Sequence, residues 1–257
     1  MTRRHITFSC GGSELAGTID DADGETGLLI VSGGNETRAG AFRSQADLAA
    51  RISAEGFPVM RFDRRGVGDS QGANGGFQSS APDIAAALET FRSECPQLDR
   101  IFGFGNCDAA SALMLAEGQG LDGMILSNPW TFEGGAQEAP PEAVRAHYRQ
   151  RLGDRAAIKR LLTGQVSLRK LLRSLLGALR PQSAPSSLAQ EMAFGIEAFA
   201  GEIAFLIAER DRTGQSFIAS WKRTDPRIRI CGDATHGYVE PHAREWLFDQ
   251  VVEMMKA

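Results

Sequence analysis

Metal centres, disulfide frameworks and membrane spans leave plain marks in a sequence, and those marks are missing here. The four cysteines, Cys10, Cys95, Cys107 and Cys231, form no CxxC pair and have no histidine at ligand spacing. Neither a zinc site nor a disulfide staple is indicated, and no cofactor is expected. No run reaches the roughly 18 apolar residues of a spanning helix. Met1 to Cys10 carries Arg3 and Arg4 but no apolar core of a leader. A cytoplasmic location is therefore expected. Basic charge is also scarce: 28 Lys and Arg against 32 Asp and Glu give a net charge of -4. That balance argues against a nucleic-acid partner.

What is present is an ordinary globular composition, 257 residues of which 42% are hydrophobic, enough to bury one substantial core. A single domain over 1–257 is expected. The start reads as a hairpin, with alternation through His5–Phe8, a turn at Cys10–Ser13 and a second arm from Leu15 to Ile19. The rhythm then changes. Short apolar runs at Leu28–Val31, Pro58–Phe62, Ile101–Phe104, Met124–Leu126 and Ile203–Ile207 have the character of buried parallel strands. Between them, Phe42–Glu55, Ala81–Arg92, Cys107–Ala116 and Pro241–Met255 repeat at helical spacing. Alternating strand and helix predicts a doubly wound α/β sheet, whose ligands bind beyond the carboxyl ends of the strands.

One interval interrupts the alternation. Pro140 to Pro185 carries only helical pattern, so a helical lid insertion is expected at about 131–195. Between Pro141 and Arg180 stand ten basic residues, Arg145, Arg149, Arg151, Arg155, Lys159, Arg160, Arg169, Lys170, Arg173 and Arg180, against Glu142 and Asp154. The interval is thus +8 and the remainder -12. Leu161, Leu168, Leu172, Leu175 and Leu179 form a stripe along it. It reads either as a packed lid with a solvated basic face or as a surface for an anionic substrate or a membrane.

The residue pattern with most chemistry is Ile101-Phe-Gly-Phe-Gly-Asn-Cys107-Asp-Ala-Ala-Ser111, an apolar strand, a tight turn and a helix. It resembles the nucleophile elbow G-x-S-x-G, with cysteine in place of serine. Gly105 and Ala109 supply the small neighbours that let strand and helix close on the turn. A helix N-terminus under the sulfur favours thiolate, and the Asp108 carboxylate opposes it if it lies close. The alternative is a small buried cysteine. Ser111 lies one helical turn further on and is no substitute nucleophile.

Leu28 to Asn35 is a strand running into Ser32-Gly33-Gly34-Asn35. Backbone N–H groups of Gly34 or Asn35, paired with that of Asp108, are the expected donors of an oxyanion hole. His236, in Gly232-Asp-Ala-Thr-His-Gly-Tyr238 after a strand candidate at Arg229–Cys231, is the expected base. His5, His147 and His242 sit in the first strand, the insertion and the last helix, and are read as structural or solvated. The orienting acid should follow Ile203–Ile207, where Asp211 is preferred and Glu209 is the reserve.

These motifs resemble the α/β-hydrolase superfamily, whose order of nucleophile, acid and base is that of Cys107, Asp211 and His236. Asp63-Arg-Arg65-Gly-Val-Gly-Asp-Ser70-Gln-Gly72 is similar to its D-x-R-G-x-G-x-S-x-G loop, and the resemblance implies an architectural role for Asp63, Arg65 and Ser70. Ser32-Gly-Gly-Asn35 with Arg38-Ala-Gly40, Gly105-Asn-Cys-Asp-Ala-Ala-Ser-Ala112 and Leu126-Ser-Asn-Pro-Trp130 are similar to the exosortase-A-system-associated hydrolases of type 1. That resemblance implies a cytoplasmic hydrolase linked to bacterial exopolysaccharide production, with its substrate open. Hydrolysis of an ester, lactone or thioester is the leading expectation. The alternatives are an acyltransferase and a non-catalytic interaction protein on the same scaffold.

Overall fold

The computed structural model describes residues 2–132, 187–222 and 224–257. Among them one sheet carries eight strands: β1 (Arg3–Cys10), β2 (Ser13–Asp20), β3 (Thr26–Val31), β4 (Val59–Phe62), β5 (Arg100–Asn106), β6 (Gly123–Ser127), β7 (Glu202–Ala208) and β8 (Ile228–Cys231). Their spatial order is β1-β2-β4-β3-β5-β6-β7-β8. β1, β2 and β4 pair antiparallel in turn, and every pairing from β4 to β8 is parallel. This is the α/β-hydrolase fold, a mostly parallel sheet with an antiparallel hairpin at one edge, as expected.

Burial explains the two strand patterns. Leu28 to Val31 in β3 are all at 0% exposure, because helices cover both faces of the sheet's centre. Edge strand β1 instead alternates, with Phe8 and Cys10 inward. Successive β3 residues feed opposite layers. Leu29 and Val31 pack on the side of α2 (Ala81–Glu94), α3 (Asp108–Leu115), α4 (Ser187–Gly195) and α5 (Arg212–Ser220), alongside Phe91, Leu113, Met192 and Phe217. Leu28 and Ile30 pack on the side of α1 (Ser44–Ala54) and α6 (Pro241–Lys256), against Ile52, Val251 and Met255.

Two boundaries differ from the sequence reading. The helix expected from Phe42 begins at Ser44, because Phe42 and Arg43 hold φ of 51° and 64° in a short turn before it. Positive φ at a bulky residue breaks the helix regardless of apolar spacing. The last nine residues of the interval expected to be a lid form α4, which is part of the body. Its Leu188 and Met192 enter the main core, and a Cβ on Gly195 would lie 2.3 Å from the Met114 carbonyl oxygen. The ten basic residues from Arg145 to Arg180, the leucine stripe and His147 lie outside the described residues. Among the described residues no helix is long and apolar enough to cross a membrane.

Candidate active site

β5 ends at Asn106 and α3 starts at Asp108, leaving Cys107 alone on the turn between them with φ 64° and ψ -128°. Such a conformation costs on the order of 1–3 kcal/mol and persists only where the surroundings impose it. Here they do. A Cβ on Gly105 would lie 2.6 Å from the Ala109 carbonyl carbon, so strand and helix close to a distance only glycine admits. The Cys107 N–H is held by the Ser127 carbonyl at 3.0 Å, and its own carbonyl accepts from Ala110 at 3.2 Å. Cys107 is the half-buried cysteine; Cys10, Cys95 and Cys231 are buried. Ser111 is buried and its Oγ bonds both N–H and carbonyl of Trp130 at 2.8 Å, so it ties α3 to the loop after β6.

The loop after β8 brings His236 over the turn. Its Nδ1 lies 3.0 Å from Asp211 Oδ2, and Cys107 is close enough to act on the titration of the ring. Asp211 follows β7 and caps α5, its Oδ2 also accepting from the Gly214 N–H at 3.0 Å. Glu209 faces elsewhere and accepts from the Asp233 N–H at 2.9 Å. His5 is bonded to Thr18 on the hairpin, and His242 to the Gly232 carbonyl. Burial works to lower the imidazole pKa, but hydrogen bonds to Asp211 and Cys107, with the charges of both, outweigh it and raise it to about 10.

Beneath the imidazole lies a polar web that sequence reasoning missed. Asn106 Nδ2 is 3.5 Å from His236 Nε2 and donates to its carbonyl at 3.2 Å. Asn128, wholly buried, donates to Asn106 Oδ1 at 3.1 Å and accepts from the Ala208 N–H at 2.9 Å. The Tyr238 hydroxyl donates to the Leu206 carbonyl at 3.2 Å and meets Ser127 Oγ at 3.0 Å. The carboxyl ends of β5, β6 and β7 are thus laced to the loop that carries His236. The Asn128-Pro-Trp130 motif marked this place without disclosing the partners.

On the other side of the turn, the loop after β3 touches the elbow. The Gly34 N–H, an expected oxyanion donor, is engaged by Asp108 Oδ1 at 2.6 Å. Asn35 bonds through its side chain to Asn74 at 2.9 Å. The Asp108 N–H has no protein acceptor among the described residues. Arg64, 4% exposed, underpins the loop by donating to the Gly34 carbonyl and to Ser80 Oγ. Asp63 accepts from the N–H groups of Arg38 and Asp69, and the Ser70 hydroxyl donates to the Asp63 carbonyl. Arg65 pairs with Asp83. A cavity of about 500 Å³ opens over Gly34, Cys107 and Asp108. Phe77, Trp130, Phe132 and Leu188 make its apolar wall, and Glu191 joins Asp108 as a carboxylate lining it. Among the described residues no cluster of three His, Cys, Asp or Glu could hold a metal.

A family model described as Hydrolase_4, serine aminopeptidase S33, matches residues 25–176, more than half of the chain. Among curated proteins none matches. Solved structures match over nearly the whole length. DcsB in complex with its substrate analogue shares 14% identity at a TM-score of 0.68, over 99% of this chain and 99% of that one. The α/β hydrolase GrgF from Penicillium sp. sh18 shares 16% at 0.68, over 100% and 98%. The Pyrococcus furiosus esterase Pf2001 shares 16% at 0.62, over 99% and 90%. At these identities the likeness is one of fold.

Proposed function

The chain belongs to the Hydrolase_4 family, described as serine aminopeptidase S33, and on that premise we propose that it cleaves an ester, lactone or thioester through a Cys107-His236-Asp211 triad. The observation that carries this reading is the chain of contacts itself. Cys107 stands on a strained turn at the edge of a cavity, within electrostatic reach of an imidazole whose Nδ1 is 3.0 Å from a buried carboxylate. Where the family description names serine, sulfur changes the order of events. The thiol proton passes to the neutral His236 imidazole before or during attack, leaving a thiolate beside an imidazolium. Sulfur adds to the carbonyl carbon, and the carbonyl electron pair moves to oxygen. Collapse expels an alkoxide or thiolate, which takes the proton of His236.

Acylation then alters the base. Two of the influences holding the imidazole pKa near 10 come from Cys107, and an acylated sulfur supplies neither. The ring therefore becomes a competent base for the water that hydrolyses the thioester. The apolar wall of Phe77, Trp130 and Phe132 suits an acyl chain or ring. The motifs shared with exosortase-associated hydrolases extend the proposal to an acylated substrate of exopolysaccharide production in the cytoplasm. The basic interval Arg145–Arg180 extends it further, to an anionic substrate or peripheral membrane contact.

A panel of p-nitrophenyl esters, lactones and acyl thioesters, run on wild type and Cys107→Ala, tests the core of this. At least one substrate should turn over, and Cys107→Ala should lose that turnover by roughly a thousandfold or more. Undiminished turnover in Cys107→Ala removes the nucleophile from the reading. Turnover that needs an added alcohol or amine acceptor makes the protein an acyltransferase.

A further inference from the structure

The position where a substrate oxyanion should sit is filled from within. Gly34 and Asp108 line the cavity together with Cys107, and the Asp108 carboxylate reaches across to the Gly34 N–H. Its Oδ1 lies 2.6 Å from the Gly34 nitrogen. The same oxygen lies 2.8 Å from where a Cβ on Gly33 would stand, so the contact is tight. Its Oδ2 is 3.8 Å from Arg64 Nη2, the atom that donates to the Gly34 carbonyl at 2.5 Å.

Resting on the acyl-transfer reading above, we propose that Asp108 is an internal occupant of the oxyanion position, a latch that a substrate must displace before Cys107 can be acylated. One N–H proton cannot serve a carboxylate and a developing alkoxide at once, and two anions at one donor repel. Favourable placement of an acid in the first turn of α3 explains the charge at this position but not its reach across to another loop. When the carboxylate swings out, the cradle survives. Arg64 stays anchored by Ser80 Oγ at 2.9 Å and by the Gly34 carbonyl, and the freed Gly34 N–H joins that of Asp108.

The discriminating pair of variants separates occupancy from charge. Asp108→Ala removes both, whereas Asp108→Asn removes the charge and keeps an oxygen that can accept from Gly34. Two reactions are followed in the full-length protein. In the burst with p-nitrophenyl acetate, the acetyl group passes to Cys107 Sγ and p-nitrophenolate leaves, a step that needs the oxyanion donors. Alkylation of Cys107 by iodoacetamide needs the thiolate alone. Acylation should rise roughly tenfold or more in Asp108→Ala and stay within about threefold of wild type in Asp108→Asn, set against the hundredfold or larger effect of losing an oxyanion donor. Alkylation should shift equally in both. Slower acylation in Asp108→Ala, or equal gains in both variants that track alkylation, overturns the latch and leaves the nucleophile standing. If Cys107 alkylates no faster than the buried cysteines in any of the proteins, the acyl-transfer reading falls and the latch falls with it.

Discussion

Two thiol and carboxylate arrangements among the described residues invite comparison. At the hairpin edge, the buried Cys10 thiol donates to Asp83 Oδ1 at 3.4 Å. Burial first, and then that carboxylate, pushes the thiol pKa up, so the proton stays on sulfur. At the elbow, on the proposed reading, Asp211 acts on Cys107 through the His236 imidazole, whose Nδ1 lies 3.0 Å from Asp211 Oδ2. A carboxylate set directly on a thiol quiets it; in the proposed triad the same group one imidazole away would prepare it for attack. Exposure and backbone strain complete the contrast, since Cys10 sits in a regular strand and Cys107 on a turn with positive φ.

The contrast breaks most severely at the intermediary. His236→Ala should lower turnover by on the order of 10² to 10⁴, the usual scale for a positioned acid or base. Asp211→Asn should cost less than that but far more than Glu209→Gln, which should be near neutral, since Glu209 holds only the Asp233 N–H. Steady-state kinetics on the three variants decides the ordering. A larger loss in Glu209→Gln would reassign the acid.

A smaller effect sharpens the comparison at the thiols themselves. Iodoacetamide followed by peptide mapping should label Cys107 roughly a hundredfold faster than Cys10, Cys95 or Cys231, because reactivity follows thiolate and access. Burial is the leading cause of the raised pKa at each of those three. Comparable rates at all four sites would dissolve the distinction.

The smallest effect is on stability. The folded-state pKa of His236 is raised from 6.5 to about 10, so its contribution is fully present below pH 6.5 and is lost as pH rises through about 10. The ring is 44% exposed, which screens and reduces the increment. Thermal melts of wild type and His236→Gln should therefore differ more at pH 6 than at pH 10. A gap that widens with pH would reverse the sign.

The sheet was readable because β3, β6 and β7 hold short unbroken apolar runs and the helices interrupted ones. The chemistry-bearing ends were readable as well, because Gly105 and Ala109 mark a turn that needs small neighbours and His236 follows the last strand. What stayed hidden has long-range or conformational causes. Asn128 meets Asn106 across 22 residues, and Asn106 meets His236 across 130. Asp108 reaches Gly34 across 74. No local spacing reports such contacts. The start of α1 stayed hidden because φ at Phe42 and Arg43, not periodicity, decides it.

β6 and β7 pair directly, Gly123 to Ser127 against Glu202 to Leu206, although residues 133–186 lie between them in the chain. Each flank of that interval is already fastened: Trp130 to Ser111 on one side, and Gly195 against Met114 on the other. A stretch tied down at both ends can be lengthened, shortened or exchanged without opening the sheet. Selection is thus free to rewrite that interval while the strands that present Cys107 keep their register.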